Sequence, residues 1–259
     1  MKVLSLGAGV QSSALALMAE HGDIEKPDYA IFADTGWEPN HVYSWLDYLI
    51  SKLSFPVIRV SAGNIRDDLI RNIETGDRFA SIPFYLNGGM GRRQCTSQYK
   101  LQPIFKKVRE LLGYQPSKRI PAGSVQMYIG ISLDEVHRMK PSREIWISNR
   151  YPLIDLMFSR IDCLSWMDAK GYPLPPKSSC VGCPFHNDSY WMDLKRSDPD
   201  SFSDAVRIDN LLRSRGPRKF MNHFEYMHRS RKPLADIDFT DFQREIDFFG
   251  MECEGICGT

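Results

Sequence analysis

The stretch "KVLSLGAGVQSSALALMAE" (2–20) decides the fold. "KVLSL" is a short apolar run of strand length, Gly7 and Gly9 break it, and the small and apolar residues that follow have helical density. It reads as strand, tight turn, helix. Working outward, "YAIFAD" (29–34) is a second buried strand, and the helix after it presents Trp45, Leu46, Leu49, Ile50 and Leu53 on one face. "PVIRV" (56–60) is a third strand, while "VQMYIGI" (125–131) and "YPLID" (151–155) supply two more candidates. Strands alternating with helices predict an α/β fold: a parallel five-stranded Rossmann-like sheet with helices on both faces, whose ligands sit at the carboxyl ends of the strands.

Other elements follow from local signals. A helix is expected near 99–112, with Pro103 tolerable only in its first turn. Another runs from a Ser159 cap to about Lys170 and is closed by Gly171. "PLPPKSSCVGCPFHND" (173–188) has too many prolines for helix or central strand. From residue 188 onward the pattern is helices joined by basic loops, and "FMNHFEYMHRSRKPL" (220–234) is either an amphipathic helix or a nucleic-acid-facing segment. The expected division is a nucleotide-binding α/β domain over 1–170 and a C-terminal helical, cysteine-bearing part over 171–259.

With 259 residues, 42% of them hydrophobic, the chain can bury a large core, and a net charge of +1 advertises no whole-molecule attraction to nucleic acid or anionic membranes. The opening "MKVLSLGAG" is too short for a secretory apolar region, and no stretch approaches the ~20 apolar residues of a membrane span. The expectation is a cytoplasmic protein without a membrane partner, in which cysteines bind metal or do redox work. Cys163 falls on the amphipathic helix after Ser159 and reads as packing. Cys180 and Cys183 form a CxxC open to three readings: zinc thiolates, iron–sulfur ligands or a redox dithiol.

The loop "SLGAGVQSS" (5–13) lies where backbone amides and a helix N-terminus can hold an anion. Gly7 and Gly9 let the backbone approach phosphates, and Ser12 and Ser13 add hydroxyls. Neither the GxxxxGK[ST] nor the GxGxxG spacing is present. Asp34, before Thr35 and Gly36, reads on its own as a turn or capping residue, or as a neighbour of the nucleotide.

These motifs resemble, in order, the PP-loop ATP pyrophosphatases, in their phosphoadenosine phosphosulfate (PAPS) reductase-like branch. The family's SGGxDS loop corresponds to Gly7, Ala8, Gly9, Val10, Gln11 and Ser12, with departures at Gly7, Ala8 and Gln11. "ADTGWEPNHVYSWLDYL", "RRQCTSQYKLQPI", "GISLDEVHRM" and "RYPLIDLMFSRIDCLSWMDAKGYPLPPKSSCVGCPF" continue the likeness, and "FFGMECEGICG" is similar to the ending of sulfonucleotide reductases. The resemblance implies an adenine nucleotide, ATP or PAPS/adenosine phosphosulfate with Mg2+, held by Ser5, Gly7, Gly9, Gln11, Ser12, Ser13, Asp34, Thr35, Gly36 and Arg138. It implies a 4Fe-4S cluster on Cys95, Cys180 and Cys183, with a tail cysteine or an exchangeable ligand at the fourth iron, and the cluster is preferred to zinc. Cys253 matches the reductase nucleophile, and Cys257 would resolve it or complete the cluster; both as incidental tail thiols is the plain alternative.

Three functions stay open from the sequence. The first is ATP-dependent adenylation followed by sulfur transfer to a nucleic-acid or small-molecule acceptor, with a cysteine desulfurase as donor. The second is reduction of PAPS or adenosine phosphosulfate to sulfite by Cys253, regenerated by a thioredoxin-like partner; Ser132 and Leu133, where arginines are expected, oppose it. The third is a non-catalytic nucleotide- or cluster-binding module. A homodimer is a further expectation.

Overall fold

The computed structural model describes residues 1–76, 81–214 and 224–239. Its main sheet comprises β1 (Lys2–Leu6), β2 (Tyr29–Asp34), β3 (Val57–Ser61), β6 (Val125–Tyr128) and β7 (Ile147–Arg150), all paired in parallel in the order β3-β2-β1-β6-β7. A small antiparallel hairpin, β4 (Tyr85–Leu86) and β5 (Gly89–Met90), stands apart.

Alternation along the strands sends side chains to two faces. Leu4, Leu6, Ala30 and Phe32 pack with α1 (Val10–His21), α2 (Asn40–Ile50) and α6 (Arg160–Ala169). Val3, Ile31, Val125 and Met127 pack on the other face with Ile104 and Val108 of α4 (Gln102–Leu111). Both faces are covered, which is why these strands read as near-continuous apolar runs. Each fully buried Leu, Ile or Val contributes roughly 1.5–3 kcal/mol relative to exposure.

A third core joins the two halves of the chain. Ile65, Leu69 and Ile73 of α3 (Ile65–Thr75), with Trp37 and Phe84, pack against Trp191 and Leu194 of α7 (Asp188–Ser197) and Ile208 and Leu212 of α8 (Pro199–Ser214). The final described stretch, 224–239, is stitched onto α8 by buried Asp209, which accepts from the Met227 and Leu234 amides (2.9 and 2.8 Å).

Three expectations change. "YPLID" is not a strand: Pro152–Asp155 is a short helix, α5, with proline in its first turn, and the fifth strand is the preceding ISNR. Pro103 does sit in the first turn of α4, but the helical path begins earlier as a π-helical turn, Thr96–Leu101, in which the Gln102 amide reaches back to Ser97 O. The wider turn accommodates the residues ahead of a proline that cannot donate. Residues 224–239 contain no α-helix; Tyr226 instead bridges to Tyr85.

Candidate functional site

Sheet order locates the site. From β1 the chain winds through β2 to β3 on one side, then returns to place β6 and β7 on the other, so the order switches beside β1. Ligands of open parallel sheets bind in the crevice at the strands' carboxyl ends at such a switch. The loop 7–9, the segment 34–38 and the segment 129–138 all leave β1, β2 and β6 at that edge.

In the glycine-rich loop the left-handed residue is Ala8, φ +59°, rather than either glycine. An L-residue there costs about 1–2 kcal/mol, and its surroundings hold it: Ser12 Oγ accepts from the Gly7 amide (3.2 Å), and Ser178 donates its hydroxyl to the Gly7 carbonyl. Gly9 is the N-cap of α1, which has no side-chain cap and no acidic residue in its first turn. A helix start built this way suits an anion. Ser13 Oγ faces away from the loop, accepting from the Trp45 indole (2.9 Å). Ser5, at the end of β1, has a buried hydroxyl without a hydrogen-bond partner among the described residues.

Gln11 is buried and closes the crevice. Its amide nitrogen donates to Ser132 Oγ (3.3 Å) and Glu135 Oε2 (3.2 Å), while its carbonyl accepts from Arg160 (3.1 Å). An amide does both at once, its nitrogen donating and its oxygen accepting; an aspartate at 11 could not donate and would face Glu135 with like charge. Ser132, where the resemblance expects an arginine, is one of its partners, and Glu135 also pairs with Arg138.

On the other side of β1, Asp34 Oδ1 accepts from the Gly36 amide and the Tyr43 hydroxyl, each at 2.8 Å. Burial, then the Asp34 hydrogen bond, pushes the Tyr43 phenol up, so it remains a donor. Gly36 takes φ +74°, and a Cβ there would lie 2.9 Å from Asn64 Cγ.

Next to this segment stands the CxxC loop. The Val181 amide donates to Trp37 O (2.7 Å), Cys180 Sγ lies 3.1 Å from Thr35 Oγ1, and Glu38 Oε1 lies within hydrogen-bond distance of both side chains. Burial, then Glu38, raises the Cys180 thiol well above its usual range, against the opposing pull of Lys100. His186 donates its Nε2–H to the Cys180 carbonyl (2.9 Å) and stacks on Tyr190 with ring centroids 3.7 Å apart. Burial, then Lys177, lowers the His186 pKa to about 3, so the ring is neutral and braces the loop.

Cys95, Cys180 and Cys183 line one small, largely apolar cavity together with Thr35, Arg93, Thr96 and Lys100. Thr96 Oγ1 is buried there without a hydrogen-bond partner among the described residues. Among the described residues no group of three His, Cys, Asp or Glu side chains is close enough to hold a single metal ion. A cubane cluster spreads its thiolates wider than one ion's tetrahedron, and three soft donors beside two cations and an orphaned hydroxyl suit an anionic cluster in chemistry. Cys163 is fully buried in the α1–α6 core. Cys253 and Cys257 lie outside the described residues.

The sequence did not single out Glu38, Lys100, Glu135, Arg160 or Ser178. All five lie inside stretches that carry the resemblance, but what Arg160 and Ser178 do, reaching the loop at Gln11 and Gly7, depends on tertiary contact.

Fold and site define a parallel α/β protein with a tight turn opening a helix after its first strand and a cysteine-lined cavity against the second. No family model matches the chain. It is 38% identical over 79 residues to an uncharacterized 37.8 kDa protein in the gpa 5' region of Escherichia phage 186, a match spanning 30% of this chain and 21% of that protein. Among solved structures it is similar to phosphoadenylyl-sulfate (PAPS) reductase from Candida auris in a phosphate complex, with 11% identity, a TM-score of 0.45 and coverage of 67% of this chain and 74% of that one. Among the described residues no helix is long and apolar enough to cross a membrane.

Proposed function

We propose that the chain is a PAPS reductase-like PP-loop enzyme that activates an oxygen of an acceptor with ATP and then transfers sulfur to the carbon that bears it. The observation that carries this reading is the docking of the cysteine loop onto the nucleotide loops: Ser178 on Gly7, and Cys180 on Thr35 at 3.1 Å. Residues 1–170 and 171–259 then contribute complementary parts of one centre. The amides opening α1 and the Ser12 hydroxyl hold phosphates, Mg2+ enters as the counterion of the nucleotide, and Asp34 orders the turn beside the nucleoside. The acceptor oxygen attacks the α-phosphorus, pyrophosphate leaves, and a sulfur nucleophile then displaces AMP.

Cys95, Cys180 and Cys183 would hold a 4Fe-4S cluster, which supplies a thiophilic iron site for sulfur when bound. Thr35 and His186 orient Cys180, while Lys100 and Arg93 offset negative charge in the cavity.

The test is mass-spectrometric product analysis of anaerobically purified, reduced protein, incubated separately with Mg-ATP and with PAPS or adenosine phosphosulfate. AMP and pyrophosphate from ATP, reduced by Cys180→Ser, is the expected result. Sulfite with PAP or AMP, lost in Cys253→Ser, would replace it with the reductase reading, and no turnover of nucleotides that bind would leave a binding module.

A further inference from the structure

A second cavity, of about 220 Å3, opens on the far side of the crevice between the π-helical turn with α4 and the ends of β6 and β7. Its inner surface is apolar, formed by Leu101, Phe105, Ile129 and Ile131. Arg138, Lys140 and Arg143 stand around its rim. The one carboxylate in the lining, Glu144, accepts from the Trp146 indole (2.7 Å). The cavity is below the ~300 Å3 at which drug-sized ligand pockets begin, so it suits a ring system with one acidic group rather than a whole nucleotide.

Its connection to the glycine-rich loop is short. Glu135 pairs with Arg138 and accepts from Gln11 in the loop (3.2 Å). Arg138 thus belongs to the pocket rim and, through one carboxylate, to the phosphate loop. The nucleoside side of β1 is occupied by the Asp34 turn, leaving this side, across the switch point, for a second reactant.

We propose that this cavity is a separate acceptor pocket that takes a small planar anion, its ring on the apolar wall and its carboxylate or phosphate at Arg138, Lys140 and Arg143. Its role as acceptor rests on the adenylating reading above; the existence of the pocket does not.

The experiment is calorimetric titration of the full chain with 1-naphthoate, with and without saturating α,β-methylene-ATP. One site per chain is expected, retained with the nucleotide analogue present. Lys140→Glu/Arg143→Glu should weaken it about tenfold or more, since two rim cations become anions facing the ligand. Lys140→Gln/Arg143→Gln should weaken it less, and exposed Lys118→Glu, outside the pocket, should not change it. Absence of binding, equal affinity in the charge-reversed variant, or displacement by the nucleotide analogue would overturn the proposal. Naphthoate binding without any binding of the analogue would remove the nucleotide reading and keep the pocket; ATP turnover without naphthoate binding would do the reverse.

Discussion

Between the two cysteines of the CxxC, Gly182 leaves no room for a side chain. An added Cβ would lie 2.1 Å from Trp37 Cη2 and 2.2 Å from Cζ3, and the indole is itself fixed by its N–H donation to Asp204 (2.9 Å). Overpacking of this kind costs typically 1–3 kcal/mol. Gly182→Ala should therefore lower thermal stability by several degrees and displace Cys180 from Thr35. Trp37→Leu loses core contacts on its own, but in that background Gly182→Ala should cost much less, a coupling that a double-mutant cycle of Tm and chemical unfolding reads directly. Equal costs in both backgrounds would mean that the ring is not what excludes the side chain. The sequence showed Gly182 only as the spacer of a CxxC, because its constraint comes from a tryptophan far away along the chain. The departure at Gln11 was visible as a letter, but its reason, an amide that must donate to Glu135 and accept from Arg160 at once, needed the fold.

Elements were legible where their signals are local. The helix after Ser159 begins with a reciprocal capping box, Ser159 with Asp162, and is followed by Gly171 at φ +75°. β7 was missed because it is an edge strand with one buried apolar residue, Ile147, in ISNR, whereas YPLID looked more apolar and proved to start with a proline at a helix N-terminus. The start of α8 carries a testable cap. Asp198 precedes Pro199 and accepts from the Ser201 amide (3.2 Å) and hydroxyl (2.8 Å) and from the Asn40 amide opening α2 (3.4 Å). Burial alone would raise its pKa; these hydrogen bonds outweigh burial and lower it from 3.8. A carboxyl whose folded pKa is depressed stabilises fully above its unfolded value, and that contribution is lost as pH falls below about 3.8. Asp198→Ala should cost about 1 kcal/mol at neutral pH, and the difference from the parent protein in urea unfolding should narrow as pH drops below that value. A difference independent of pH would show that the carboxylate charge has no part in the cap.

At the scale of the molecule, the stretches before and after the expected boundary near residue 170 share a core. Trp37 and α3 from the first part pack with α7 and α8 from the second, and Asp204 of α8 ties them by accepting from Arg66 Nε and Nη2 (both 2.7 Å) as well as from Trp37. That the later part completes the packing of the earlier one was not legible, since hydrophobic pattern identifies a buried face but not its partner. Cooperative unfolding follows from a shared core. Far-ultraviolet dichroism, reporting on the whole backbone, and tryptophan fluorescence, which includes Trp37 and Trp191 at the junction among the five tryptophans, should give coincident denaturation curves. Asp204→Ala leaves the Arg66 guanidinium and the Trp37 indole without this acceptor at a junction where both are largely shielded. It should cost about 1–3 kcal/mol. Because Trp37 also positions the CxxC loop through its carbonyl, the same substitution should weaken nucleotide binding if the cysteine loop and the phosphate loop form one centre. A variant that is destabilised yet binds nucleotide unchanged would separate the two halves functionally, and non-coincident transitions in the parent protein would separate them physically.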